Sequence, residues 1–174
     1  GVRPDVKVVA NDLLLAIEPL QPLLLPVNNM DGNTPKANLK RIKEHLKSDG
    51  ALIIFPAGEV SRFGPPGVRD GQWQSGFLKM AASAKAPILP IFVAARNSVF
   101  FYSLSFLAKP LATVWLVREM FKQCHRTVDA RIGHLIPFEH YDRGESKKIT
   151  AQRLKRHVYG LARNRKPLFQ GEET

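Results

Sequence analysis

The residues with the clearest chemical content lie between positions 55 and 62, in the run Phe-Pro-Ala-Gly-Glu-Val-Ser-Arg. Pro56 has no N–H to give a sheet and Gly58 tolerates a turn, so backbone amides there leave the ladder. The Ser61 hydroxyl and the Arg62 guanidinium add directed donors. Together they make a candidate anion cradle. A carboxylate, Glu59, sits inside it and needs an arginine to hold it, for which Arg62, Arg69 and Arg96 are the candidates. A plain surface turn with an ion pair is the competing reading. The run lacks the Gly-Lys-Ser/Thr ending of a nucleotide phosphate loop.

These groups need a frame. Residues 6–10, 23–27 and 51–55 read as short buried strands, and residues 86–95 as another. Between them, residues 34–50 have Thr34 as a candidate N-cap and Pro35 at the first helical position. Leu39, Ile42 and Leu46 form one apolar face, and Gly50 stands at the end. A second helix is expected over residues 74–85 and a last one over 147–165, where Ala151, Leu154, Val158 and Leu161 form a stripe. This alternation predicts an α/β fold, a largely parallel central sheet flanked by helices, as a single domain over 1–174. In such sheets the working loops lie beyond the carboxyl ends of strands, which is where the 55–62 run falls. A late strand with an irregularity at Gly133 is expected over residues 127–137.

Composition limits what the site can serve. In 174 residues there are 26 Lys and Arg against 15 Asp and Glu, a formal charge of +11, so a polyanion is the expected partner. Nine basic residues fall between 141 and 170. The longest charge-free apolar run, residues 97–108, is shorter than the roughly 20 residues of a spanning helix, and it reads as a buried helix or as an aromatic face at a membrane interface. Cys124, the one cysteine, excludes an internal disulfide and any site of several thiolates. No metal site and no cofactor are expected. A nucleic-acid-binding module satisfies the charge, but no binding motif accompanies it and the aromatics cluster in apolar runs. An α/β hydrolase is excluded because Ser61, Ser75 and Ser98 lack the glycines of a nucleophile elbow.

The run also resembles the third block of the PlsC-like glycerolipid acyltransferases, Phe-Pro-Glu-Gly-Thr-Arg-Ser, and more closely the Phe-Pro-Ala-Gly-Glu-Val-Ser of a bacterial hemolysin-named branch. The likeness extends to residues 27–32, 76–98 and 131–137, in the family's order. It implies a glycerol-3-phosphate acyltransferase-like fold and acyl transfer from acyl-CoA or acyl carrier protein to a hydroxyl of a glycerophosphate-like or lysolipid acceptor. It also implies a protein on the inner, cytoplasmic face of an anionic membrane, with no nucleic acid as partner. Phe55, Pro56, Gly58 and Ser61 match the block that holds the acceptor's phosphate end. Ala57 and Glu59 depart from it. Asn28 and Asn29 stand where many relatives carry a phosphate-binding arginine, and they offer hydrogen bonds without charge.

In the family a His-x-x-x-x-Asp pair supplies the general base. Here the sole histidine before Phe55 is His45, inside a basic helix, and it reads as a surface residue. His134 with Glu139 and His140 with Glu145 lie in the wrong part of the fold, and His125 with Asp129 has the wrong spacing. The catalytic pair is therefore expected upstream of Gly1, and this polypeptide is expected to bind without catalysing. A relative that has lost its chemistry and only binds a membrane surface is the alternative.

Overall fold

The computed structural model describes residues 3–10, 18–27, 35–58, 61–64, 67–94 and 127–163. Strand β1 (Lys7–Ala10) is the centre of a three-stranded parallel sheet. On one side it pairs with β2 (Leu24–Pro26), which follows a 3₁₀ helix at Glu18–Leu23, and on the other with β3 (Leu52–Ile53). The registers are Val9 with Leu25 and Val8 with Ile53. Pro26 is tolerated because it ends an edge strand.

Helix α1 (Lys36–Lys47) lies between β2 and β3, and its Ile42, 1% exposed, packs with Val9, Leu25, Val27 and Met80. Burying a side chain of that size stabilises by about 1.5–3 kcal/mol. Pro35 occupies the N-cap position rather than the first helical one, and Leu39 faces largely outward. At the other end the left-handed residue is Asp49, with φ of 61°, and the Gly50 N–H donates to the His45 carbonyl at 2.9 Å. Gly50 serves a different need. A Cβ there would stand 2.4 Å from the imidazole of His45, which folds over it and approaches the Ala51 carbonyl at 3.2 Å. His45 is thus half-buried, not the surface residue expected from its basic helix.

Two antiparallel pairs complete the described strands, β4 (Arg62–Gly64) with β5 (Gly67–Arg69) and β6 (Ile91–Val93) with β7 (Ala130–Ile132). Among the described residues parallel pairing joins β1, β2 and β3, and the strand expected in 86–95 joins an antiparallel ribbon instead. The irregularity at Gly133 is a bulge. Ile91 opposes Ile132 and Ile88 opposes Ile136, which leaves two residues on one side and three on the other.

Helices α2 (Gly76–Ser83), α3 (Phe138–Tyr141) and α4 (Lys147–Leu161) meet in the larger core. Leu78, Ile136 and Leu154 are each 1% exposed there, and Ala151 is fully buried. The predicted stripe of α4 is the one that packs, with Thr150 and His157 buried alongside it. β3 departs from expectation. It spans two residues, and while Leu52 and Ile54 pack toward α1, Ile53 and Phe55 remain 44% and 61% exposed. An unbroken apolar run implies cover on both faces, and among the described residues only one face of β3 is covered.

Candidate functional site

Beyond β3 the chain turns at residues 55–58. The Gly58 N–H donates to the Phe55 carbonyl at 3.0 Å, with Pro56 second in the turn and Gly58, at a φ of 67°, fourth. The Gly58 amide is thereby engaged, whereas sequence alone had offered it to an anion. The Pro56 carbonyl accepts the Gln74 N–H at 2.8 Å, which fixes the turn to the segment entering α2. Ala57 packs on the larger core, so the glutamate of the family's usual block would meet apolar neighbours at this point. The turn itself is open, with Phe55 and Gly58 exposed.

The β4–β5 hairpin follows, with Arg62 and Arg69 as paired residues on one rung. Its exit carries Asp70, which organises the surroundings. One carboxylate oxygen accepts the Ser61 hydroxyl and the other accepts the Trp73 indole N–H at 2.9 Å. The Asp70 amide donates to the Tyr159 hydroxyl at 2.9 Å. The Lys155 ammonium donates to the carbonyls of Asp70 and Gly71 at 2.8 and 2.6 Å, and Gln152 to that of Trp73 at 3.0 Å. Positions 152, 155 and 159 share one face of α4, which grips residues 70–73 backbone group by backbone group.

Tyr159 is the pivot of this grip. The Arg69 guanidinium lies 5.5 Å from its ring centroid, the Lys155 ammonium 5.9 Å, and the Phe92 ring meets it edge-on at 5.9 Å. Burial pushes its phenol above the usual range, with the Asp70 charge acting the same way against the Asp70 amide, Arg69 and Ser61. Arg69 is accordingly engaged with an aromatic ring.

Of the residues singled out from sequence, Phe55, Pro56 and Gly58 form one turn, and Ser61, Arg62 and Arg69 belong to the hairpin that follows it. Asn28, Asn29, Glu59 and Arg96 lie outside the described residues, as do Thr34, Cys124, His125 and the run 97–108. The Ser61 hydrogen, assigned from sequence to an anion, is committed to Asp70. Asp70, Trp73, Gln152, Lys155 and Tyr159 escaped sequence reasoning. Their one signal was the spacing of 152, 155 and 159, obscured because Lys155 reads as one more solvated cation. Among the described residues there is no cluster of three or more metal-ligating side chains, and no helix long and apolar enough to cross a membrane.

A family model described as Acyltransferase matches residues 1–165. The lyso-glycine lipid O-acyltransferase of Bacteroides thetaiotaomicron is 35% identical over 162 residues, and its namesake from Phocaeicola vulgatus is 32% identical over 163. Each alignment takes in 90% of this chain, and the chain spans 59% and 58% of those two proteins. No solved structure matches.

Proposed function

Because the chain belongs to the acyltransferase family, we propose that it forms the acceptor-binding part of an enzyme that moves a fatty acyl group from acyl-CoA or acyl carrier protein to a hydroxyl of a lysolipid. The observation that carries this reading is the open turn at residues 55–58, bearing the family's Phe-Pro-x-Gly block, followed directly by the hairpin of Ser61 and Arg62. The relatives are named for a lysolipid, which favours such an acceptor.

In the proposed reaction a histidine oriented by an aspartate, outside these 174 residues, takes the acceptor's hydroxyl proton. The oxygen attacks the thioester carbonyl, the new C–O bond forms, the C–S bond breaks, and the thiolate leaves to be protonated. This segment holds the acceptor by its headgroup in the turn and hairpin, with Phe55 presenting an apolar surface beside them. Alone it binds and does not turn over.

The acceptor resides in a bilayer, so the enzyme works as a peripheral protein on the cytoplasmic face. Its +11 charge suits anionic lipid, at on the order of 1 kcal/mol per basic residue near the surface. The test is acylation of a lysolipid by the full-length protein with each thioester donor, read by mass spectrometry. Transfer is expected, and none from either donor to any lysolipid would refute the assignment.

A further inference from the structure

A guanidinium laid on an aromatic face uses its π surface on the ring and keeps its N–H groups, which lie in its own plane, for an anion. Arg69, half-buried, is placed in this way. Its guanidinium lies over the Tyr159 ring, 5.5 Å from the centroid, and among the described residues no hydrogen bond or ion pair engages its N–H groups. The ring is itself fixed, because its hydroxyl accepts the Asp70 N–H at 2.9 Å and the Phe92 ring meets it edge-on. The neighbouring carboxylate is occupied elsewhere: its two oxygens accept hydrogens from Ser61 and from Trp73. Lys155 donates to two carbonyls, so its ammonium adds positive potential beside the ring without taking a ligand's oxygens. Two cations thus stand here with one carboxylate, a positive surplus. The strand register adds a second reason. Positions 62 and 69 are opposite each other on one rung, and like charges so placed destabilise a strand pair unless an anion offsets them.

We propose that Arg69 is the anion-binding residue of the acceptor site and Tyr159 its positioning residue, the N–H edge of the guanidinium taking two oxygens of the lysolipid's acidic group, carboxylate or phosphate alike. The inference rests on the acyltransferase reading above and names the part of the headgroup that the hairpin holds. Both acidic groups present paired oxygens that match the fork, so one arginine recognises a chemistry they share. The fixed ring keeps the guanidinium in its binding orientation before the acceptor arrives, which limits the side-chain freedom lost on binding.

The experiment measures KM and kcat of the full-length enzyme for lysophosphatidic acid, for a lysolipid ending in a carboxylate, and for monoacylglycerol, which has no acidic group. Arg69→Gln should raise KM about tenfold for an acidic acceptor, while KM for the thioester and for monoacylglycerol changes by less than about twofold. A rise with one acidic acceptor alone identifies phosphate or carboxylate as the group held, and a rise with both shows that either serves. Arg69→Lys, which retains the charge and loses the fork, should recover only part of the affinity, and it decides the matter if Arg69→Gln does not fold. Tyr159→Leu should raise the acidic acceptor's KM further than Tyr159→Phe, which loses the same hydroxyl but keeps the ring, and that difference should vanish in an Arg69→Gln background. Unchanged KM for the acidic acceptors in the Arg69 variants, or equal changes for acidic and neutral acceptors, would overturn the proposal while leaving the acyltransferase reading intact. Acylation of none of the three would reject both.

Discussion

The Tyr159 hydroxyl accepts the backbone N–H of Asp70 at 2.9 Å, joining residues 89 positions apart in the chain. Through this contact the last described helix sets the pose of the hairpin that carries Ser61 and Arg62. Removing it with Tyr159→Phe keeps the ring under Arg69 but leaves a partly buried amide unmatched, at a cost of about 1–3 kcal/mol. Thermal unfolding should report that loss, and KM for the acceptor should rise more than KM for the thioester. A variant with wild-type stability would show that the contact contributes nothing.

Arg62 is paired by register with Arg69, directly after Ser61. Arg62→Ala in the full-length enzyme should raise the acceptor's KM more than the donor's, because binding energy at a headgroup is used on one substrate alone. Equal changes for both substrates would remove Arg62 from the acceptor site.

Gly50 and His45 form a pair that can be separated experimentally. Gly50→Ala places a methyl inside the imidazole's position and forces the ring from the Ala51 carbonyl, so it should destabilise by about 0.5–1.5 kcal/mol, the net worth of that hydrogen bond. In a His45→Ala background the same change should cost little, and the difference is the coupling energy. Identical costs in both backgrounds would show that something other than the ring makes alanine unwelcome.

His157 is buried on α4, and burial, with the His134 charge adding, lowers its basicity below the ordinary value. The unfolded chain then binds a proton at a higher pH than the folded one, so native stability falls as pH drops below about 6.5 toward the folded value. The melting temperature should decline across that window, and less steeply in His157→Gln. Parallel curves for variant and wild type would place the acid sensitivity elsewhere.

The main strands and the three long helices were legible because short-range physics writes them, whereas the β4–β5 hairpin, the 3₁₀ helix and α3 were not. A run such as Lys7–Ala10 is a short, mainly apolar stretch with two adjacent β-branched valines, and Ala151, Leu154 and Val158 recur at helical spacing, so β1 and the buried face of α4 follow from local pattern. The open turn was legible for the same reason, since Pro56 and Gly58 impose it on any backbone. Local pattern also marked Gly50, although the left-handed residue proved to be Asp49 and the glycine answers to a ring five positions earlier.

What the chain could not disclose in one dimension is which polar group meets which. Ser61 reads as a donor to a ligand until Asp70, nine residues on, takes its hydrogen, and Lys155 reads as solvated until it is found on the carbonyls of Asp70 and Gly71. Hydrogen-bond partners are chosen by three-dimensional proximity within about 3 Å, and neither composition nor periodicity contains that distance. Residue types placed Pro56, Gly58, Ser61 and Arg62 just beyond β3, whereas the tertiary packing of α4 against the hairpin decided which of those polar groups the protein itself uses.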